Sequence, residues 1–235
     1  MPGFRRLVDP LNAALPLARL LWRTTEDAAA VHALHQLAIA TEAPGLVRAD
    51  PADHFDRIRG RMGQLVGGFQ ADGQMVAYGV LALGSPVVLA LATLLGVDAS
   101  MLCVLDGSAV HPDCRGQRLH EAVIDERLRR GAALGRQHAA ATVAPQNIHS
   151  LRGLLRTGLE MRRFAILYGG QPRFVMQRTL AHGPDTSPAP QRDTERSLPI
   201  TDLLGHQVAL ASGLVGHDCR QTPQGDWLVD YARPA

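Results

Sequence analysis

The chain has 235 residues, 46% of them hydrophobic and 20% charged, which is enough apolar material for one sizeable core with an appendage or for two small domains. All 24 of its Lys+Arg residues are arginine and its formal net charge is +2, which excludes the P-loop, the kinase strand lysine, the Schiff base and the Ser-x-x-Lys pair. With 4% aromatics, three irregularly spaced cysteines (Cys103, Cys114, Cys219) and no long apolar span, the composition implies no nucleic-acid partner, no disulfide framework, no membrane and a reducing, cytoplasmic setting.

In chain order, Leu17 to Arg23 reads as a strand, and Thr24-Thr25-Glu26-Asp27 caps a helix running to about Ala40, ended by Pro44-Gly45. Asp50 as N-cap and Pro51 at the first helical position open a second helix that closes near Met62-Gly63. Strands over 65–70 and 75–83 flank Asp72-Gly73, a hairpin signal. The run from Pro86 to Val97 is apolar at nearly every position; periodicity does not separate a buried helix from a buried strand, and we read an inserted helix that either lines a pocket or fills core. Met101 to Val110 is a strand, interrupted by His111-Pro112-Asp113, and Leu119, Val123, Ile124, Leu128, Ala132 and Leu134 mark one face of a helix over 115–137. A strand over 139–143, a helix over 147–155 and a hairpin of 164–168 with 173–180 through Gly169-Gly170 follow. This alternation predicts an α/β (α+β) domain over 1–182. A Pro-rich linker over 183–197 and a small C-terminal β-hairpin unit over 198–235 complete the chain, the hairpin built from Val208–Leu210 and Trp227–Tyr231. Trp227 and Tyr231 either close over a site, contact a second copy in a homodimer, or simply cover a sheet edge.

The densest chemical signal runs from Leu105 to His120, where a strand feeds the N-terminus of an arginine-rich helix. Free first-turn N–H groups and the helix dipole suit an anion there, pyrophosphate among them. Val110-His111-Pro112-Asp113-Cys114-Arg115-Gly116 resembles the V-x-P-x-x-R-G-x-G-x-G/A motif of the GNAT acyltransferase superfamily. Asn147-Ile148-His149-Ser150, followed by Gly158-Leu159, resembles that family's N-x-x-[AS] and Gly-[FL] segment, so the resemblance covers about residues 17 to 181. It implies the GNAT fold, with a mixed central sheet splayed at an acyl-CoA site and helices flanking it. It further implies acetyl-CoA as cosubstrate, no metal, and direct acetyl transfer to the primary amine of a small molecule. The backbone of Ser108, Ala109 and Val110 is then expected to bind the pantetheine arm, with the Val110 N–H polarising the thioester carbonyl. Arg115, Gly116, Gln117, Arg118, Leu119 and His120 are expected to cradle the pyrophosphate, and Asn147 and Ser150 to touch the cofactor arm.

Three departures from the motif matter. Arg118 and His120 stand where the family places glycine or Gly/Ala, so each either contacts phosphate, points outward or blocks the approach. Leu154 occupies the position of a frequent tyrosine acid, which leaves Ser150, His149, Tyr168 or water to protonate a thiolate whose solution pKa of roughly 8.5 demands little help. Asp106 is the first candidate for the base, with a turn-capping carboxylate as the other reading. Two alternatives follow: an acyl-CoA-binding sensor of a protein partner without turnover, and an acyltransferase for a longer acyl donor. His111 is expected to serve the turn, Cys114 to be a turn residue rather than a nucleophile, and His32 and His35 to lie on a helix surface. His217-Asp218-Cys219 is not expected to form a metal site. A chain without lysine also offers no side-chain amine of its own for acetylation.

Overall fold

The computed structural model describes residues 20–43, 46–180 and 193–234. Residues 17–19 of the expected first strand, the Pro44-Gly45 terminator and positions 183–192 of the expected linker lie outside the described residues. Strands β1 (Leu21–Thr24), β2 (Gly63–Phe69), β3 (Met75–Ala82) and β4 (Leu102–Val110) form an antiparallel run. Strand β4 then pairs in parallel with β5 (His138–Val143), and β5 is followed antiparallel by β7 (Gln171–Thr179) and β6 (Glu160–Leu167). Beyond β6 the same mixed sheet continues through β9 (Val215–Gln221), β10 (Trp227–Ala232) and β8 (Arg196–Pro199).

Alternation along the strands builds two cores. Leu65, Tyr78, Val80, Leu102, Val104, Ala140 and Val175 face α1 (Ala28–Ile39), α2 (Ala52–Ile58) and α3 (Pro86–Leu95). The intervening Leu81, Cys103, Leu105, Ala139, Ala141, Phe174 and Met176 face α4 (Leu119–Ala133), α5 (Ile148–Arg156) and α6 (Leu203–Ala211). Capping follows the sequence signals at several ends. Asp27 accepts from the Ala30 N–H, Asn147 from the Ser150 N–H, and Gly96 ends α3 in the left-handed conformation.

Three elements differ from the sequence reading. Pro51, not Asp50, is the N-cap residue of α2, which stops at Ile58 because Arg59 turns extended before a single 3-10 turn at Gly60–Met62. Helix α4 starts at Leu119 rather than Arg115, because Gly116 (φ 78°) and Arg118 (φ 57°) both take left-handed backbone that a helix does not admit. Val208–Leu210 belongs to helix α6, capped by Asp202, and the hairpin partner of β10 is β9. Arg196 and Ser197, at the end of the expected linker, pair with β10 as part of β8. The C-terminal segment touches β6 through the single bridge Met161↔Gly216, yet Leu198, Ala209, Leu210, Cys219, Val229 and Tyr231 share one buried cluster with Leu159, Met161 and Phe174.

Candidate active site

The parallel β4–β5 ladder lasts only from Leu102–Val104 against His138–Ala140. Further along, β4 stays with β3 and β5 stays with β7, so the two strands part and leave a gap between their C-terminal ends. A cavity of about 890 Å³ occupies that gap, lined by β4, the start of α4, the end of β5 and the start of α5.

A bulge sets the divergence. Leu105 opposes Leu81 and Ser108 opposes Gly79, so Asp106 and Gly107 together face Val80, with Gly107 at φ 77°. The fully buried Arg127 of α4 clamps this bulge from behind, donating to the Val80 carbonyl (3.2 Å), the Gly107 carbonyl (3.0 Å) and the Val123 carbonyl (3.1 Å). Burial pushes its pKa down to about 10, which still leaves the guanidinium charged at neutral pH. Gly79 has no side chain because Arg127 lies there: a Cβ would sit 2.6 Å from Nε.

Past the bulge, the His111 N–H donates to the Val76 carbonyl at 2.8 Å. Antiparallel alternation then turns the N–H and C=O of Val110 and Ser108 away from β3 toward the open gap, while those of Ala109 face Tyr78. At the mouth, Arg118 provides no side-chain cap for α4, so the first-turn N–H groups of Leu119, His120 and Glu121 remain open. Arg115, Gly116, Arg118, Leu119 and His120 all line the cavity; Gln117 does not.

The side chains around this loop are committed to the protein. Arg115 reaches the Ala38 carbonyl at the end of α1 (3.1 Å) and Glu42 (2.9 Å), and Arg118 pairs with Glu121, which also receives Arg156 at 3.2 Å. Burial opposes ionisation of Glu121, but the hydrogen bonds from Arg118 and Arg156 outweigh it and hold the carboxyl below its ordinary range. His120 packs beneath the helix against Gly153, where a Cβ would lie 2.6 Å from Nδ1. Burial, reinforced by Arg127, brings its pKa down to about 4, so the ring is neutral at physiological pH. Asn147 spends its side chain on the α5 cap and on the Leu46 carbonyl (3.4 Å), whereas the half-buried Ser150 faces the cavity with no hydrogen bond from its hydroxyl among the described residues. Leu154 is buried in the wall.

The other face of the gap carries charge. Asp106 shares the face of Val104; its carboxylate receives Arg48 at 3.3 Å and lies 3.8 Å from His54 Nε2. That His54 nitrogen is buried without a hydrogen-bond partner. Arg48 also donates to Asp50 at 2.5 Å, and the Asp50 N–H donates to His35 Nε2 at 3.1 Å. The proton of His35 is therefore on Nδ1, donated to the Tyr78 hydroxyl at 2.7 Å, and burial lowers the His35 pKa. His35 is thus buried, contrary to its expected place on the helix surface, because it braces the Asp50 backbone. Tyr168, at φ 50°, bonds Thr142 of β5 at 3.0 Å and carries the guanidinium carbons of Arg48 and Arg173 at 5.0 and 5.8 Å from its ring centre.

His111 accepts from the Asp113 N–H and serves the turn, and burial keeps the Cys114 thiol above its ordinary pKa. Among the described residues no group of three His, Cys, Asp or Glu side chains is placed to hold a metal, and no helix is long and apolar enough to cross a membrane. Helix α3 buries Val88, Leu91 and Ala92 in the core, and none of its residues lines the cavity. Tyr231 is buried against His206 (2.8 Å), while Trp227 reaches the cavity beside Arg152, whose guanidinium carbon lies 4.8 Å from the indole. Sequence reasoning missed Arg48, Asp50, His54 and Arg127. The only local signal for the first two was Arg48-Ala49-Asp50-Pro51, read there as a helix start.

No protein-family model and no curated protein matches the sequence. Solved structures do match. A GNAT superfamily phosphinothricin acetyltransferase from Sinorhizobium meliloti in complex with AcCoA superposes with a TM-score of 0.52 at 17% identity, over 73% of this chain and 94% of that one. The chain has the GNAT fold. A GCN5-related N-acetyltransferase from Kribbella flavida (TM-score 0.52, 14% identity, 69% and 98% covered) shares it. So does the ribosomal-protein-S18-alanine N-acetyltransferase from Escherichia coli (TM-score 0.51, 16% identity, 71% and 97% covered). Identities this low carry the fold of the GNAT neighbours and leave their substrates with them.

Proposed function

We propose that the protein is an acetyl-CoA-dependent N-acetyltransferase that transfers the acetyl group directly to the primary amine of a small molecule. The observation that carries this reading is the β4–β5 gap, edged by unpaired backbone groups and closed at one end by an uncapped helix N-terminus. Extended pantetheine is an amide chain that matches the Ser108 and Val110 backbone, and pyrophosphate matches the first turn of α4. Acetyl-CoA, when bound, supplies an activated thioester carbonyl.

The residues of this chain divide the remaining work. The Val110 N–H, turned into the gap, donates to the carbonyl oxygen as negative charge develops. Asp106 draws the acceptor ammonium in and takes its proton, directly or through water, while Arg48 holds the carboxylate in place. The Ser150 hydroxyl supplies a proton to the departing sulfur in place of the tyrosine that Leu154 replaces. All three cysteines are free thiols, and the same reading includes a cytoplasmic setting and admits a homodimer.

Two titrations test the proposal. Calorimetry with acetyl-CoA and CoA is expected to show binding, and thiol release on an amine panel is expected to rise above buffer. Tight binding without release for any donor or acceptor would identify a sensor instead. Release only with long acyl donors would point to the longer-chain alternative, which α3 does not support because none of its residues reaches the cavity.

A further inference from the structure

The charged face of the cavity is unevenly matched. Arg48 is matched by two carboxylates, Asp50 on Nε and Asp106 on one terminal nitrogen. Arg173, on the same face of β7 as the core residue Val175, has no carboxylate partner among the described residues. The residue as a whole is 6% exposed and lines the cavity, and among the described residues its guanidinium hydrogen-bonds only the Pro172 carbonyl and the Gln171 side chain. A guanidinium has five N–H donors, so most of this fork stays open toward the cavity. The Tyr168 ring serves both guanidinium groups, with the Arg48 and Arg173 guanidinium carbons 5.0 and 5.8 Å from its centre, within cation–π range.

A buried, unmatched guanidinium is costly unless a ligand anion completes it. The same wall presents Asp106 to a cation, so the pocket offers one negative and one positive recognition point. Resting on the acetyltransferase reading, we propose that the acceptor is an amino acid: a small molecule whose primary amine meets Asp106 while its own carboxylate is held by Arg173. In the transfer the amine nitrogen, having lost a proton to Asp106 or water, forms the new C–N bond. The C–S bond breaks with its electron pair on sulfur, which takes up a proton, and an N-acetylated amino acid and CoA leave. A diamine or polyamine would instead set a like charge against Arg173.

The test compares matched acceptors with wild-type enzyme and acetyl-CoA, following thiol release and product mass. The nineteen protein amino acids with a primary α-amine are each paired with their carboxamides, and 4-aminobutyrate is paired with 1,4-diaminobutane. The proposal expects the best free acid to exceed its carboxamide by about a hundredfold in kcat/KM. This outcome is the more telling because the α-amine of a carboxamide is the less basic and hence more deprotonated of the two. Arg173→Gln is expected to shrink that preference by lowering the rate for the acid far more than for the carboxamide, with Arg173→Lys intermediate and acetyl-CoA affinity preserved in both. The wild-type comparison decides the matter if the variants fold poorly. Carboxamides or diamines acetylated as fast as the acids would overturn this inference while leaving acetyl transfer intact. No transfer to any amine would overturn both.

Discussion

Asp106 is the residue on which chemistry and packing meet. Its place on the strand entering the splay is legible from the motif alone, but its partners are not, because Arg48 lies 58 positions away and comes from the loop before α2. Replacing the carboxylate while keeping its shape separates its two roles. Asp106→Asn is expected to lower acetyl transfer by about 10²–10⁴-fold, with the calorimetric affinity for CoA nearly unchanged. Equal loss in both quantities would make Asp106 a structural carboxylate only. Arg127 was invisible for the same reason: within its helix it reads as one more charged residue on the polar side, yet it is fully buried and its hydrogen bonds go to β3 and β4. Arg127→Ala leaves a cavity and two orphaned strand carbonyls, and is expected to cost about 3 kcal/mol in urea unfolding.

Elements with strong local signals were readable, the Asp-Gly hairpin and the α5 helix opening at Asn147 among them, whereas the apolar run that forms α3 carried no period to tell helix from strand. The start of α4 was not readable either, because an apolar period continues through a loop whose left-handed residues include Arg118, where sequence gives no glycine to announce the turn. That loop explains how the chain leaves the α4 terminus open with fewer glycines: Arg118 turns outward to Glu121 and His120 folds under toward α5. The neutral His120 between α4 and α5 makes their contact sensitive to acid. Its folded pKa of about 4 lies below the ordinary value of 6.5, so its stabilising contribution is complete above pH 6.5 and is lost as the pH falls toward 4. His35 and His206 are also shifted downward by burial and act in the same direction. Melting temperatures measured from pH 7 to 4 are expected to fall less steeply for His120→Gln than for the wild type, the difference amounting to at most about 3 kcal/mol. Parallel curves would place His120 in contact with solvent in the folded protein.

At the scale of the molecule, the GNAT sheet was anticipated from two short motifs in the right order, whereas the C-terminal segment was read from composition alone and its helix was taken for a strand. Its Val208-Ala209-Leu210 stretch, taken alone, has no feature that marks it apart from a buried strand. The shared cluster of Met161, Phe174, Leu198, Val229 and Tyr231 couples this segment to the sheet. Trp22 on the edge strand β1 and Trp227 on β10, next to the opposite edge, report the two halves of the sheet, and a single coincident transition is expected by fluorescence and by calorimetry. Separate transitions would show that the β6–β9 bridge divides two independent units. The central claim concerns the gap in that sheet, and amine-dependent release of CoA thiol from acetyl-CoA tests it most directly, in a protein with no lysine of its own to contribute background. Release that rises with an added amine and yields the N-acetylated product is the predicted result. Acetyl-CoA bound in the gap with release no faster than in buffer, for every amine offered, would contradict it.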